Sequence, residues 1–348
     1  MRGYLFAFGV VALLVFGCRA RDGSAVAKDG MKDKPHHEQA GRGTTPSPPG
    51  GVSKVPYAVP PLSEAEKRVI LEKGTESPFT GKYWNTTDRG VYVCRQCGAY
   101  LYLSQDKFNS ECGWPSFDEE VRGAVKRQTD ADGRRTEIVC ANCGGHLGHV
   151  FTGERLTPKD TRHCVNSISM TFVPEANWPL QKAIFAGGCF WGVEHHLARA
   201  PGVLAVRSGF TGGTVENPTY KQVCAGTTGH AEAVEVVFDP AKVSYERLAR
   251  LFLDIHDPTQ KNRQGPDVGV QYRSAVFYFG EAQKKTAESL IALLRLRGLD
   301  VVTEVVPASA FWPAEEYHQH YLEKHPGHPI CQVYVDRFGD AATKPATR

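Results

Sequence analysis

Between Val91 and Phe172 apolar residues come in short runs, each broken by Gly, Asn or Asp. "GVYVC", "EIVC" and "SISMTFV" read as strands, so this stretch is predicted to be mostly β. From Lys182 the pattern changes. "KAIFAGG" (182–188) reads as a buried strand, and strand-like "EAVEVVFDP" (232–240) precedes a helix from Ser244 to Ile255. "SAVFYF" (274–279) precedes a second helix from Glu281 to Arg297, and "VVTEVVP" (301–307) follows. Strands alternating with helical crossovers predict an α/β arrangement. Ahead of both, "LSEAEKRVILEKGTE" (62–76) opens like a helix: Ser63 can cap, Glu66 sits three residues on, and Val69 and Ile70 begin an apolar face. The predicted fold is therefore α+β in two domains, 62–174 and 182–340, with "EANWPLQ" (175–181) as a short joint.

The N-terminus has its own pattern. Arg2 precedes an apolar stretch from Leu5 to Phe16 that meets Gly17 and Cys18. That stretch is too short to span a bilayer and reads as a secretory signal over residues 1–18. "VFGC" is similar to a bacterial lipobox, so the expectation is an exported protein in the periplasm or cell envelope, lipid-anchored through Cys18. A plain signal ending near Ala20 is the alternative. Residues 19–61 are rich in Gly, Pro, Lys, Asp and Ser without a hydrophobic period, which predicts a solvated tether and ordered structure from Leu62. The net charge of +3 mixes both signs along the chain, without the basic face that nucleic-acid binding would require.

The ten cysteines do not look like a set of disulfide staples. Cys94 and Cys97, and again Cys140 and Cys143, form C-x-x-C pairs each followed by Gly. Two such knuckles complete a tetrahedral zinc site. Two separate disulfides or a redox pair remain open from spacing alone. Cys164 stands two residues after Arg162, on the same face of a strand, where a guanidinium favours thiolate. "GGHLGHVF" supplies His146 and His149, which could be further metal ligands; four cysteines already close a site, so a proton-handling role is favoured over ligation. Cys189 has the clearest local logic. It follows Gly187 and Gly188 where a strand ends and a helix begins, so helix amides favour its thiolate, and Phe190 and Trp191 add an apolar wall.

With these residues in view the chain resembles two families. Residues 62–174 resemble methionine sulfoxide reductase B through "TESPFTGKYW", "CRQCGAYL", "FNSECGWPSF", "CANCGGHLGHVF" and "RHCVNSISMTF". Residues 182–336 resemble methionine sulfoxide reductase A through "FAGGCFWGVE", "NPTYKQVCAGTTGHAEAV", "HDPTQKNRQGPDVGVQYRS" and "FWPAEEYHQHYL". His163 and Phe210 depart from the aromatic and Tyr common at their positions. The resemblance implies a zinc-bearing antiparallel β-sheet domain followed by an α/β, ferredoxin-like core domain. It implies reduction of both methionine sulfoxide epimers, free or in proteins, through a cysteine sulfenic acid and an intramolecular disulfide. A thioredoxin-like donor would reopen the disulfide.

The resemblance also implies the site roles. In the second domain Cys189 is the nucleophile and Glu232 the acid. Tyr220 and Tyr272 hold the sulfoxide oxygen, Asp267 supports the site, and Phe190 and Trp191 box the methyl group. Cys331 is the favoured resolving thiol, with Cys224 either an alternative or a buried thiol. In the first domain Cys164 is the nucleophile and Cys112 resolves; His146 and His149 manage protons, Arg162 favours the thiolate, Asn166 orients the site and Trp114 holds the methyl. A general thiol–disulfide oxidoreductase and a non-catalytic zinc-stabilised binding module are the rival readings.

Overall fold

In a computed structural model, residues 52–131 and 133–339 are described. The signal, Cys18 and most of the tether lie outside the described residues. Helix α1 (Glu64–Ile70) opens with the expected capping box: Ser63 Oγ accepts from Glu66 N–H at 3.3 Å, and Glu66 returns the contact to Ser63 N–H at 2.7 Å. A cap of this kind stabilises a helix end by about 1 kcal/mol. Val69 and Ile70 are its buried residues.

Nine strands follow: β1 (Gly90–Cys94), β2 (Tyr100–Leu103), β3 (Lys107–Phe108), β4 (Ser116–Phe117), β5 (Val125–Thr129), β6 (Thr136–Cys140), β7 (His146–Thr152), β8 (Thr161–Val165) and β9 (Met170–Pro174). They form two antiparallel sheets, one ordered β2-β1-β9 and the other β3-β4-β8-β7-β6-β5. Tyr92, Tyr102, Phe117 and Leu101 fill the space among them. The stretch "SISMTFV" is strand only from Met170, because Ser167–Ser169 turn as a 3-10 helix.

The expected tether boundary needs correction. Residues 52–61 lie on the first domain: Lys54 pairs with Ala99, Val55 is buried and donates its N–H to Gly98 O, and the carbonyls of Pro60 and Pro61 accept from Arg95. Val52, Val55 and Val59 join the first core, which the surrounding Gly and Pro composition concealed.

The second domain runs β10 (Gln181–Gly187), α2 (Phe190–Leu197), β11 (Val203–Thr211), α3 (Tyr220–Cys224), β12 (Ala231–Phe238), α4 (Tyr245–Ile255), β13 (Arg263–Gln264), β14 (Asp267–Val268), β15 (Ser274–Tyr278), α5 (Glu281–Leu296), β16 (Glu304–Pro307), β17 (Trp312–Pro313) and α6 (Tyr321–Lys324). Its six-stranded sheet is ordered β16-β15-β10-β12-β11-β17, antiparallel except for β15 with β16. β13 and β14 make a separate hairpin. Helix α4 buries Leu248, Leu251, Phe252 and Ile255, and α5 buries Ala287, Leu290, Ile291 and Leu294. Each set recurs at three and four residues, so one stripe faces the core.

The two domains share apolar core: Leu180, Leu204 and Val237 pack into the first domain's cluster. Charged contacts accompany them. Arg207 donates to Asp106 at 2.9 Å, Arg122 to Glu323 at 2.7 Å, and His320 Nε2 to Glu119 at 2.8 Å. The His320 backbone N–H also meets Glu194 of α2 at 3.1 Å. The chain as a whole is a two-domain mixture of α and β, with a mostly β first domain as expected, but the joint 175–181 does not keep the two cores apart.

Candidate active sites

In the first domain the sheet register builds the site. Gln128, Glu137, His149, Cys164 and Ser116 lie opposite one another across β5, β6, β7, β8 and β4. Opposed residues of an antiparallel pair share a face, so this is one row of side chains. His146 sits three residues before His149, a spacing that in a regular strand puts the two on opposite faces. A bulge corrects this. Val139 pairs with His146 while Ile138 pairs with Gly148, which leaves Leu147 as the extra residue. The imidazoles then lie 5.6 Å apart between centroids. Gly148 makes the bulge possible: at φ 153° a Cβ there would meet Cys164 O at 2.0 Å.

Cys164 Sγ and Cys112 Sγ are 3.8 Å apart. The hydrogen bond shared with Cys112, together with burial, pushes the Cys164 thiol above its ordinary value; Arg162 pulls the other way. The guanidinium thus acts in the expected direction and is outweighed while the second thiol is in contact. Arg162 is held by a two-point ion pair to Glu154, at 2.7 and 2.8 Å, and lies over the Phe151 ring. Asn166 is buried with both amide atoms spent on backbone, accepting from Glu76 N–H and donating to Leu147 O. Trp114, half-buried, donates its indole N–H to Glu76 O. His149 Nε2 meets Asp130 at 2.8 Å and His146 Nδ1 meets Glu137 at 2.7 Å. His163 faces the other way, buried beside Tyr102, so its departure from the family pattern leaves the Cys164 face untouched.

Cys94, Cys97, Cys140 and Cys143 bring four sulfurs within 4.8 Å of one another. The close approaches run between knuckles, Cys94 to Cys143 at 3.6 Å and Cys97 to Cys140 at 3.7 Å, and none of the nine described cysteines is in a disulfide. Four thiolates about 2.3 Å from one tetrahedral ion would sit about 3.8 Å apart. The cluster therefore fits a metal better than a pair of local disulfides.

In the second domain Cys189 is the N-cap of α2. Gly188 has φ +85°, and a Cβ there would meet Gln264 Cβ at 2.4 Å, so this turn takes glycine alone. Glu232 is 1% exposed near the start of β12, opposite Phe210, and its Oε2 accepts the Phe190 N–H at 3.1 Å. Burial and the charge of Glu232 push the Cys189 thiol well up, and the Trp191 amide opposes them. The helix N-terminus favours thiolate as expected, but desolvation wins in the closed site.

Cys189, Asp267 and Cys331 border one cavity of about 360 Å³, with Trp191 on its wall. Cys331 Sγ donates to Asp267 Oδ2 at 3.1 Å; burial and this bond push the thiol up to about 12. Tyr220 and the buried Tyr272 stand in the same neighbourhood as Glu232: burial first, then Glu232, Cys224 and Tyr272, raise the Tyr220 hydroxyl. Cys224 lies one helical turn from Tyr220 and hydrogen-bonds it. Phe190 does not border the cavity; it is buried between Phe210 and Tyr220 and backs the wall that Trp191 presents.

Sequence reading missed several supporting residues. Gln332 donates to the carbonyls of Gly187 and Cys189, pinning the Cys331 segment to the nucleophile's turn. His318 accepts the Trp191 indole N–H at 3.1 Å, while Tyr321 stacks on that ring at 3.7 Å. Glu76, Glu137 and Glu154 serve the first site. A charge beside the apolar "IVC" run was the available signal for Glu137; the others show no local pattern.

Comparison with known proteins agrees with both halves. Residues 181–347 match the peptide methionine sulfoxide reductase family, and residues 62–174 match the SelR domain. The peptide methionine sulfoxide reductase MsrA of Geobacter sulfurreducens is 54% identical over 43% of this chain and 95% of its own length. That of Sulfolobus acidocaldarius is 49% identical over 45% and 90%. The structure of methionine sulfoxide reductase A of Corynebacterium diphtheriae aligns with 39% identity, 42% of this chain, 76% of that chain and a TM-score of 0.40. The chain belongs to the peptide methionine sulfoxide reductase family. Within it, this chain is a fusion, with a SelR domain first and the MsrA-type domain second.

Proposed function

We infer that the chain reduces both epimers of methionine sulfoxide, free or in proteins, at two separate sites. The observation that carries this is the repeated pairing of thiols: Cys112 lies 3.8 Å from Cys164, and Cys331 shares a cavity with Cys189. A sulfoxide needs a thiolate at sulfur and a proton at oxygen. In the second domain Cys189 attacks sulfur while Glu232 delivers the proton, Tyr220 and Tyr272 hold the oxygen, and Trp191, backed by Phe190, confines the methyl. Methionine leaves and Cys189 is left as a sulfenic acid. Cys331, oriented by Asp267, then displaces water to form a disulfide. In the first domain Cys164 attacks and Cys112 resolves; His146 and His149 supply the proton, and Trp114 confines the methyl.

Each closed disulfide needs two electrons from outside, and a thioredoxin-like dithiol is the reductant of that chemistry. Cys94, Cys97, Cys140 and Cys143 would hold one zinc ion, which supplies folding free energy to the β domain. The order β15-β10-β12-β11, with α2 and α4 as crossovers, supports reading the second core as ferredoxin-like. The Arg2, Leu5–Phe16 and Cys18 pattern supports export and a lipid anchor; mass spectrometry of the mature N-terminus tests it.

Sulfoxide sulfur is a stereocentre, so a site fixing methyl, oxygen and side chain admits one epimer in attack geometry. Cys189→Ser should abolish reduction of the S epimer and spare the R epimer, with Cys164→Ser doing the reverse. Chromatography of each purified epimer with dithiothreitol decides this. Normal S-epimer turnover by folded Cys189→Ser would overturn the reading.

A further inference from the structure

We infer that Glu137 is a positioning residue of the R-epimer site, acting through His146; the inference rests on reading the first domain as a sulfoxide reductase. Glu137 is 0% exposed on β6, in the row that carries His149 and Cys164. Its Oε2 takes Lys73 Nζ at 2.8 Å and Gln128 Nε2 at 2.7 Å. Its Oε1 takes His146 Nδ1 at 2.7 Å. Burial raises such a carboxyl, yet the hydrogen bonds from Lys73, Gln128 and His146 together hold Glu137 below the ordinary range. It is therefore ionised at neutral pH and can only accept, which puts a proton on His146 Nδ1.

Two consequences follow for the imidazole. Its orientation is fixed, because ring rotation would break a charge-assisted bond between buried groups. Its other nitrogen, Nε2, is buried without a protein partner and is the polar atom left for substrate. A sulfoxide oxygen needs a donor there, which is the protonated ring. Burial prevails and holds the His146 imidazole below its ordinary value in the free site, while the hydrogen bond and charge of Glu137 pull it back toward the protonated form. His149 is held differently, by Nε2 to Asp130 beside the turn between β5 and β6. A purely structural link between β6 and Lys73 would use Oε2 alone; the second oxygen committed to His146 is what makes Glu137 part of the site.

The test is a double-mutant cycle in the full, zinc-loaded chain, with R-epimer reduction followed in single turnover. Glu137→Gln should slow the chemical step roughly 10- to 100-fold and change KM by no more than a few-fold, short of losing the proton donor outright. Placed on His146→Asn, the same change should cost less than about twofold. S-epimer turnover at Cys189 should stay unchanged, and zinc content and melting temperature at the parent's level certify the fold of the first domain. If Glu137→Gln loses zinc or fold, Glu137→Asp replaces it, one methylene short of the imidazole and expected to slow the same step. A rate within twofold of the parent, or a full loss persisting on His146→Asn, overturns the inference. A parent chain that leaves the R epimer untouched would overturn the reading of the domain as well, a distinct result.

Discussion

At the residue scale, the position of one buried carboxylate in the sheet suits the proton delivery proposed for it. Glu232 projects from the same side of β12 as Val234, Val236 and Phe238, which are apolar and buried. Its Oε2 accepts a helix amide at the nucleophile's turn, and its charge acts on the Cys189 thiol. Glu232→Gln keeps the volume and the contact to Phe190 N–H but removes the transferable proton. It should preserve the fold and slow S-epimer reduction by roughly 10²-fold or more in single turnover. R-epimer reduction should be untouched. An unchanged chemical step would remove Glu232 from the mechanism.

Among elements, the knuckles matter most. Cys94 ends β1 and Cys97 lies in the turn after it, Cys140 ends β6 and Cys143 lies in the turn after that, so a four-sulfur cluster clamps the ends of strands from both sheets of the first domain. A metal held there ties loops far apart in sequence, and structural zinc contributes on the order of 10 kcal/mol in small peptide systems. Cys140→Ser should release the ion and unfold the first domain, read by metal analysis and loss of R-epimer activity. Leu180, Leu204 and Val237 would then lose their apolar cover, so the second domain should melt at a lower temperature than in the parent. Full zinc occupancy in that variant would refute the assignment.

For the whole molecule, the charged seam between domains sets a pH dependence. Burial lowers the His320 imidazole, but Glu119 and Glu194 outweigh it and raise it to about 9, with Glu323 adding to the same effect. Burial raises Glu194 to about 7, against His320. Glu119 goes the other way, to about 2, because contacts from His320 and Lys159 overcome its burial. A raised folded-state pKa gives stability that is complete below the unfolded value and lost as pH rises through the folded one. His320 therefore contributes fully below about pH 6.5 and loses its contribution by about 9, and Glu194 adds a loss between about 4.5 and 7. Glu119 contributes above about 4.5 and loses its part as pH falls toward 2. Melting temperature should accordingly be highest near pH 5 for this seam and fall toward pH 9. His320→Gln should flatten the limb above pH 7; an unaltered limb would show that the seam does not titrate.

The chemistry was legible in the chain because it depends on residue types at short spacings: two C-x-x-C knuckles, a cysteine behind Gly187 and Gly188, and an Arg two positions before Cys164. Element types were legible too, since a period of 3.6 along α4 and α5 and short apolar runs elsewhere survive any packing. What spacing could not reveal was alignment across strands. Only the pairing of β6, β7 and β8 puts Glu137, His149 and Cys164 in one row, and only the Leu147 bulge turns His146 to their side. Gln332 and His318 act on residues well over a hundred positions away. Thiol acidity also waited on tertiary structure: helix amides and Arg162 act as expected, but burial and the neighbouring groups decide the direction. Sequence specifies which groups are available and local geometry specifies their element; desolvation and cross-strand register are long-range quantities, created only when distant segments meet.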